Sequence, residues 1–71
     1  MKNYIREART NRLFKITQND LAKAVGIHPS QMSQIERGVY KPSLTLALKI
    51  SKVLKVPLDD LFKLEPEDWK K

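Results

Sequence analysis

The chain has no cysteine, which excludes disulfides and thiolate metal sites. It has one histidine, His28, and a lone imidazole cannot build a zinc site. No apolar run is long enough to span a bilayer. The opening MKNYIREARTN lacks the apolar stretch of a signal peptide, so a cytoplasmic location is expected. Glycine is scarce, with only Gly26 and Gly38, and there are four prolines. Each is therefore informative punctuation. Acidic residues are the minority, 8 against 14 Lys and Arg, for a net charge of +6. A basic excess on so small a body fits a polyanionic partner: nucleic acid, an acidic membrane or an acidic protein.

No nucleophile–base–acid set and no glycine-rich phosphate loop is visible, which argues against an enzyme. Asp59, Asp60, Glu65, Glu67 and Asp68 are the acidic groups that invite a cation. A helix dipole and a solvated tail account for them better, so no metal and no cofactor is expected. With 71 residues the chain is expected to form a single domain over 1–71, with its core at about 4–64 and a tail at 65–71. A domain of this size buries only about 60–65% of its unfolded surface. Without disulfide or metal, stability must come from good helix packing or from oligomerisation.

Helical periodicity predicts a first helix over 3–14, with Ile5, Ala8 and then Arg12 or Leu13 recurring on one face. Thr17 precedes QNDLAKAV and Asp20 follows three residues later, approximating a capping box. Gly26 marks the end of that second helix. A third helix is predicted over 29–37, with Pro29 at its first position and His28 as a poor N-cap. Ser43 caps a fourth, LTLALKISKVLK, and LDDLF adds a short fifth. The tail KLEPEDWKK reads as a short strand, an extended cover or a frayed end.

Around Gly26 the spacing is specific. Ala22 is small enough for a close helix crossing, and Gly26 supplies the positive φ of a sharp turn. Met32 and Ile35 anchor the third helix by one face and leave the other outward. This matches a helix-turn-helix, whose second helix enters the DNA major groove.

The stretch TQNDLAKAVGIHPSQMSQIERGVYKPSLTLALKISKVLKVPLDDLF resembles the lambda-repressor-like, Xre-type helix-turn-helix family of prokaryotic and phage regulators. The likeness covers about residues 4 to 64, and TQxxLA, the Gly26 turn, SQIERG and PSLxLALKI stand in register. Short stand-alone members are most similar. The resemblance implies an all-α fold of five helices, to which the tail can add a short extended or β segment. It also implies a cytoplasmic, nucleoid-associated DNA-binding transcription regulator with double-stranded DNA as partner.

The third helix has an outward face of amides and hydroxyls. Taken alone, such a face is ordinary helix surface. In a DNA-binding frame, glutamine can pair with adenine N6 and N7, and serine can contact bases or phosphate. Lys15, Arg12, Arg37, Lys41 and Lys49 can supply charge around it. Carried over by position, the resemblance implies base contacts from His28, Pro29, Ser30, Gln31 and Gln34. It implies backbone contacts from Thr17, Gln18, Ser33, Arg37, Tyr40 and Lys41. Two residues depart from the usual pattern: Pro29 cannot donate, and His28 replaces a Ser or Thr cap. The link between the first two helices is about two residues longer than usual. Glu36 of the IERG segment is expected to pair with Arg9 or Arg12, or to remain a solvated charge.

The fourth helix is apolar over roughly 220° at 100° per residue, against about 100° for an ordinary surface helix. One stripe holds Leu44, Ala47, Leu48 and Leu54; a second holds Leu46, Ile50 and Val53. Either helices 1 and 5 and Trp69 cover both, or the second stripe joins a homodimer. The dimer reading uses Leu46, Ile50 and Val53 with Leu58, Leu61 and Phe62. The expected function is a homodimeric, sequence-specific repressor with no membrane role, reading a palindrome with half-sites about 34 Å apart. The alternative is an antitoxin or adaptor module that holds a partner protein.

Overall fold

The computed structural model describes residues 2–11 and 15–69. Among the described residues, five α-helices and one two-stranded sheet occur in the order β1 (Lys2–Asn3), α1 (Ile5–Thr10), α2 (Gln18–Val25), α3 (Pro29–Glu36), α4 (Leu44–Leu54), α5 (Leu58–Leu61) and β2 (Phe62–Lys63). A 3-10 turn over Pro66–Trp69 follows. Helix α1 is shorter than expected at both ends: Lys2 and Asn3 pair antiparallel with Lys63 and Phe62, and Asn11 leaves the helix as its C-cap at φ −92° and ψ 57°. The other expected positions, Arg12, Leu13 and Phe14, lie outside the described residues, as does the side chain of Trp69.

The caps follow from residue chemistry. The Thr17 hydroxyl accepts the Asp20 N–H at 3.0 Å, satisfying one orphan donor of the first turn of α2. Ser43 does the same for Leu46 at 3.2 Å. Gly26 has φ 80° and ψ 32°, and Ile27 donates its N–H to the Ala22 carbonyl at 2.9 Å. That is the bond that closes a helix on a left-handed residue. A Cβ at Gly26 would meet nothing within 4 Å, so the backbone angle, not space, demands glycine there.

Lys55 ends α4 in the same left-handed region, at φ 56°, where a side chain costs roughly 1–2 kcal/mol. Lys55→Gly should therefore raise stability by about 1 kcal/mol, after the extra chain entropy of glycine is offset. Urea unfolding checks it. A loss of stability would mean that the Lys55 side chain supplies a contact larger than its strain.

The core joins Ile5, Leu21, Ala22, Val25, Met32, Ile35, Ile50, Leu54 and Leu61. Helix α2 packs against both α3 and α4, so it fixes the platform from which α3 projects. On α4 the buried residues are Ala47, Ile50 and Leu54, spaced three and four apart on one face. This corrects the expected division of that helix. Ile50 belongs to the inner face, not to an outer stripe, and is fully buried, as is Leu61. Neither has surface to give a second copy. Leu46, Val53 and Phe62 pack partly buried against the same core, and Leu58 is half-buried. The apolar residues of α4 left outward are Leu44, 70% exposed, and Leu48, 45% exposed.

Candidate nucleic-acid interface

Helix α3 is pinned by two buried side chains, Met32 and Ile35. At 100° per residue, Ser30, Ser33, Gln34 and Arg37 then fall on the opposite side. Ser30, Gln34 and Arg37 are exposed, while Pro29, Gln31 and Ser33 are half-buried. The far end of α3 is tied down from another element. Asn3 donates its side-chain N–H to the Ile35 carbonyl at 2.7 Å. The two-residue strand thus helps fix the tilt of α3.

His28 caps α3 in spite of its low propensity. Its Nδ1 accepts the Ser30 N–H at 3.1 Å and lies 2.8 Å from Ser30 Oγ. An Nδ1 that accepts places the proton of a neutral ring on Nε2. The group offered outward is then an N–H donor, suited to phosphate or a base acceptor. The Ser30 hydroxyl is engaged with the cap.

Behind the outward face sits a buried ion pair. Arg9 Nε and Nη2 donate to the two Glu36 oxygens at 2.9 and 3.0 Å, and the two side chains are only 10% and 5% exposed. Arg9 Nη1 also donates to the Ile16 carbonyl at 3.0 Å. Glu36 pairs with Arg9, one of the two arginines expected for it; the other, Arg12, lies outside the described residues. Arg9 also anchors the end of the long α1–α2 link. Gln18 Nε2 donates to Glu36 Oε1 at 3.3 Å. The pair therefore holds α1, α2 and α3 together and orients the amide of Gln18.

The remaining expected contact residues flank α3. Thr17 is exposed at the start of α2 and Gln18 is half-buried. Tyr40 is 45% exposed in the loop after α3. Lys41 is exposed but partnered: its Nζ lies 3.1 Å from Asp68 Oδ1. The other Asp68 oxygen accepts the Glu65 N–H at 2.8 Å. That backbone hydrogen bond, with help from Lys41, lowers the Asp68 carboxyl from 3.8 to about 2. A depressed carboxyl contributes its stabilisation fully above the unfolded value of 3.8 and loses it as pH falls through about 2. The tail is thus latched over Lys41 at neutral pH. Nothing local in the chain signals this contact, since Asp68 lies in what reads as a solvated tail.

Arg6 was also invisible in the sequence, being one arginine on an exposed turn of α1. It lines a solvent-open notch of ≈ 410 Å³ with Arg9, Gln18, Ser33, Glu36 and Arg37. Among the described residues, no group of three or more His, Cys, Asp or Glu is placed to hold a metal ion. No helix among them is long and apolar enough to cross a membrane.

Two helices joined at a left-handed glycine, the second pinned by one face and polar on the other, define a helix-turn-helix. A family model described as helix-turn-helix matches residues 5–61. An HTH-type transcriptional regulator of Archaeoglobus fulgidus is 39% identical over 72 residues, covering 100% of this chain and 99% of its own. The HTH-type transcriptional regulator YgzD of Bacillus subtilis is 41% identical over 68 residues, 96% of this chain and 100% of its own. One from Methanocaldococcus jannaschii is likewise 41% identical over 68 residues. The chain belongs to the helix-turn-helix family, the DNA-binding transcriptional regulators of the Xre, lambda-repressor-like type.

Proposed function

We propose that the protein is a sequence-specific repressor that binds a palindromic operator as a homodimer, with α3 in the major groove. The observation that carries the reading is the division of α3: Met32 and Ile35 are fully buried, while Ser30 and Gln34 are exposed on the other side. In this reading His28, Pro29, Ser30, Gln31 and Gln34 face base edges. Thr17, Gln18, Ser33, Arg37, Tyr40 and Lys41 meet the backbone, which sets register but carries no sequence information. Repression would be steric, with the bound dimer blocking polymerase.

Capture of fragmented genomic DNA by the protein, followed by sequencing, tests the reading. A few sharply enriched fragments are expected, and transcription in vitro from a promoter inside one should fall as protein is added. Even coverage of the genome would remove sequence specificity, and a rise in transcription would replace repression by activation.

Lys41 gives a narrower test. Lys41→Ala should weaken binding to every duplex alike and reduce the slope of log K against log salt by about one. Asp68→Asn should tighten binding to every duplex, because Lys41 no longer has to leave a carboxylate. An unchanged slope in the first variant, or weaker binding in the second, would contradict a phosphate contact.

The dimer rests on the thin core of a small chain and on the apolar side chains left outside it. Leu44 is 70% exposed, Leu48 45% and Leu64 56%. Leu46, Val53, Leu58 and Phe62 remain as half-buried contributors. Sedimentation should show a dimer that Leu44→Glu with Leu48→Glu dissociates without unfolding. A monomer mass independent of concentration would end the dimer reading. The same apolar side chains also suit an antitoxin or adaptor module. A partner protein co-purifying at fixed stoichiometry in place of a homodimer would favour that reading.

A further inference from the structure

We propose that the notch between α1, α2 and α3 is a seat for one phosphodiester of the DNA backbone, with Arg6 as a binding residue of that seat. The inference rests on the reading that the outward face of α3 meets DNA; to the backbone contacts proposed for Gln18, Ser33 and Arg37 it adds Arg6, which neither spacing nor motif reveals, and it joins the four at one phosphate.

The chemistry of the lining selects the ligand. The notch is lined by Arg6, Arg9, Gln18, Ser33, Glu36 and Arg37. Arg9 and Glu36 neutralise each other, and the Arg9 guanidinium spends its hydrogen bonds on Glu36 and the Ile16 carbonyl. The charge left over is that of Arg6 and Arg37. Both are exposed, and neither has an ion-pair partner among the described residues. Two unpaired guanidinium groups on one notch repel each other, and an anion between them converts that repulsion into two attractions.

The neutral groups agree in sign. Gln18 donates one amide hydrogen to Glu36 Oε1, which orients the amide and leaves its second hydrogen for an acceptor. Ser33 adds a hydroxyl. The one carboxylate on the lining, Glu36, is already taken up by Arg9 and Gln18. The lining thus presents donors and net positive charge, which is what a tetrahedral, acceptor-only oxyanion requires.

Position selects DNA as the source of that anion. Ser33 and Arg37 share the side of α3 that carries Ser30 and Gln34. Seating this face in the groove therefore brings the notch to the adjacent backbone. A phosphate held there touches all three helices and so fixes the angle at which α3 enters. The molecule supplies its own contrast. A second cavity, of ≈ 370 Å³, is lined by Glu7, Lys55 and Asp60 among others. Two carboxylates facing one lysine make it unfit for phosphate.

The test is the salt dependence of binding to one duplex for the wild type, Arg6→Ala, Arg6→Lys and Lys55→Gln. Thermal unfolding of each confirms an intact fold. Arg6→Ala should lower the salt slope by about one and weaken binding about tenfold at low salt, without changing which sequence is preferred. Arg6→Lys should restore the slope, and Lys55→Gln should match the wild type. A wild-type slope in Arg6→Ala overturns the seat while leaving DNA binding in place. An equal loss in Lys55→Gln overturns it too, because net charge alone would then explain the effect. A wild type that binds no duplex at any salt removes the DNA reading itself. Inorganic phosphate titrated alone separates the two sources of the anion. Millimolar phosphate that shifts the Gln18 and Ser33 amide resonances while Arg6→Ala keeps the wild-type slope would assign the notch to free anion and overturn the proposal.

Discussion

Glu36→Ala should destabilise the fold by about 3–5 kcal/mol, the usual loss when one partner of a buried ion pair is removed. The reason is the desolvated guanidinium that stays behind. Arg9 is only 10% exposed at its side chain, and without Glu36 it retains one hydrogen bond, to the Ile16 carbonyl. A small domain has roughly 5–15 kcal/mol of stability in total, so the variant should sit near its unfolding midpoint in mild urea. Arg9→Met with Glu36→Leu should recover much of the loss, because apolar residues of similar volume often replace such a pair at little cost. The double variant should still bind DNA more weakly, since Gln18 loses the carboxylate that orients it. A loss below about 1 kcal/mol for Glu36→Ala would place the pair with solvated surface bridges instead.

Gln34→Ala should leave folding intact and cost about 1–3 kcal/mol of binding to the preferred sequence, with relaxed preference at one base pair per half-site. The side chain is exposed, and the residue ties the end of α3 through its main-chain carbonyl, which accepts the Val39 N–H at 2.9 Å and the Tyr40 N–H at 3.3 Å. Truncation keeps both bonds. Met32→Ala, two residues away on the buried face, should do the reverse: it should cost about 2–5 kcal/mol of stability and reach DNA binding only through unfolding. Titration of both variants against preferred and scrambled duplexes separates the two effects. Equal losses on both duplexes for Gln34→Ala would make it a backbone contact or a bystander.

The parts of this fold that could be read from sequence are those with local causes. Thr17, Gly26, Pro29 and Ser43 mark helix boundaries through capping and φ, which need only near neighbours, and all four sit at those boundaries. Met32 and Ile35 stand out because α3 has no other large apolar residue. Helix α4 resisted for the opposite reason. With apolar residues over most of its circumference, several faces are equally plausible, and only packing against α2 and α5 decides that Ala47, Ile50 and Leu54 turn inward. Residues 2–3 and 62–63 pair as strands too short to show a period of two, so tertiary contact rather than pattern creates them. Arg6 and Asp68 gained their meaning from residues distant in sequence: the notch with Gln18 and Arg37, and the latch on Lys41.

The measurement closest to the central claim, that α3 reads bases, is selection of bound duplexes from a randomised pool, with the wild type and Gln34→Ala run side by side. The account predicts one enriched palindrome for the wild type, its half-sites about one helical turn apart. It predicts the same spacing for Gln34→Ala, with preference lost at one position in each half-site. Enrichment of the same motif at full strength by both proteins, or no enrichment by the wild type beyond salt-sensitive binding, would contradict it.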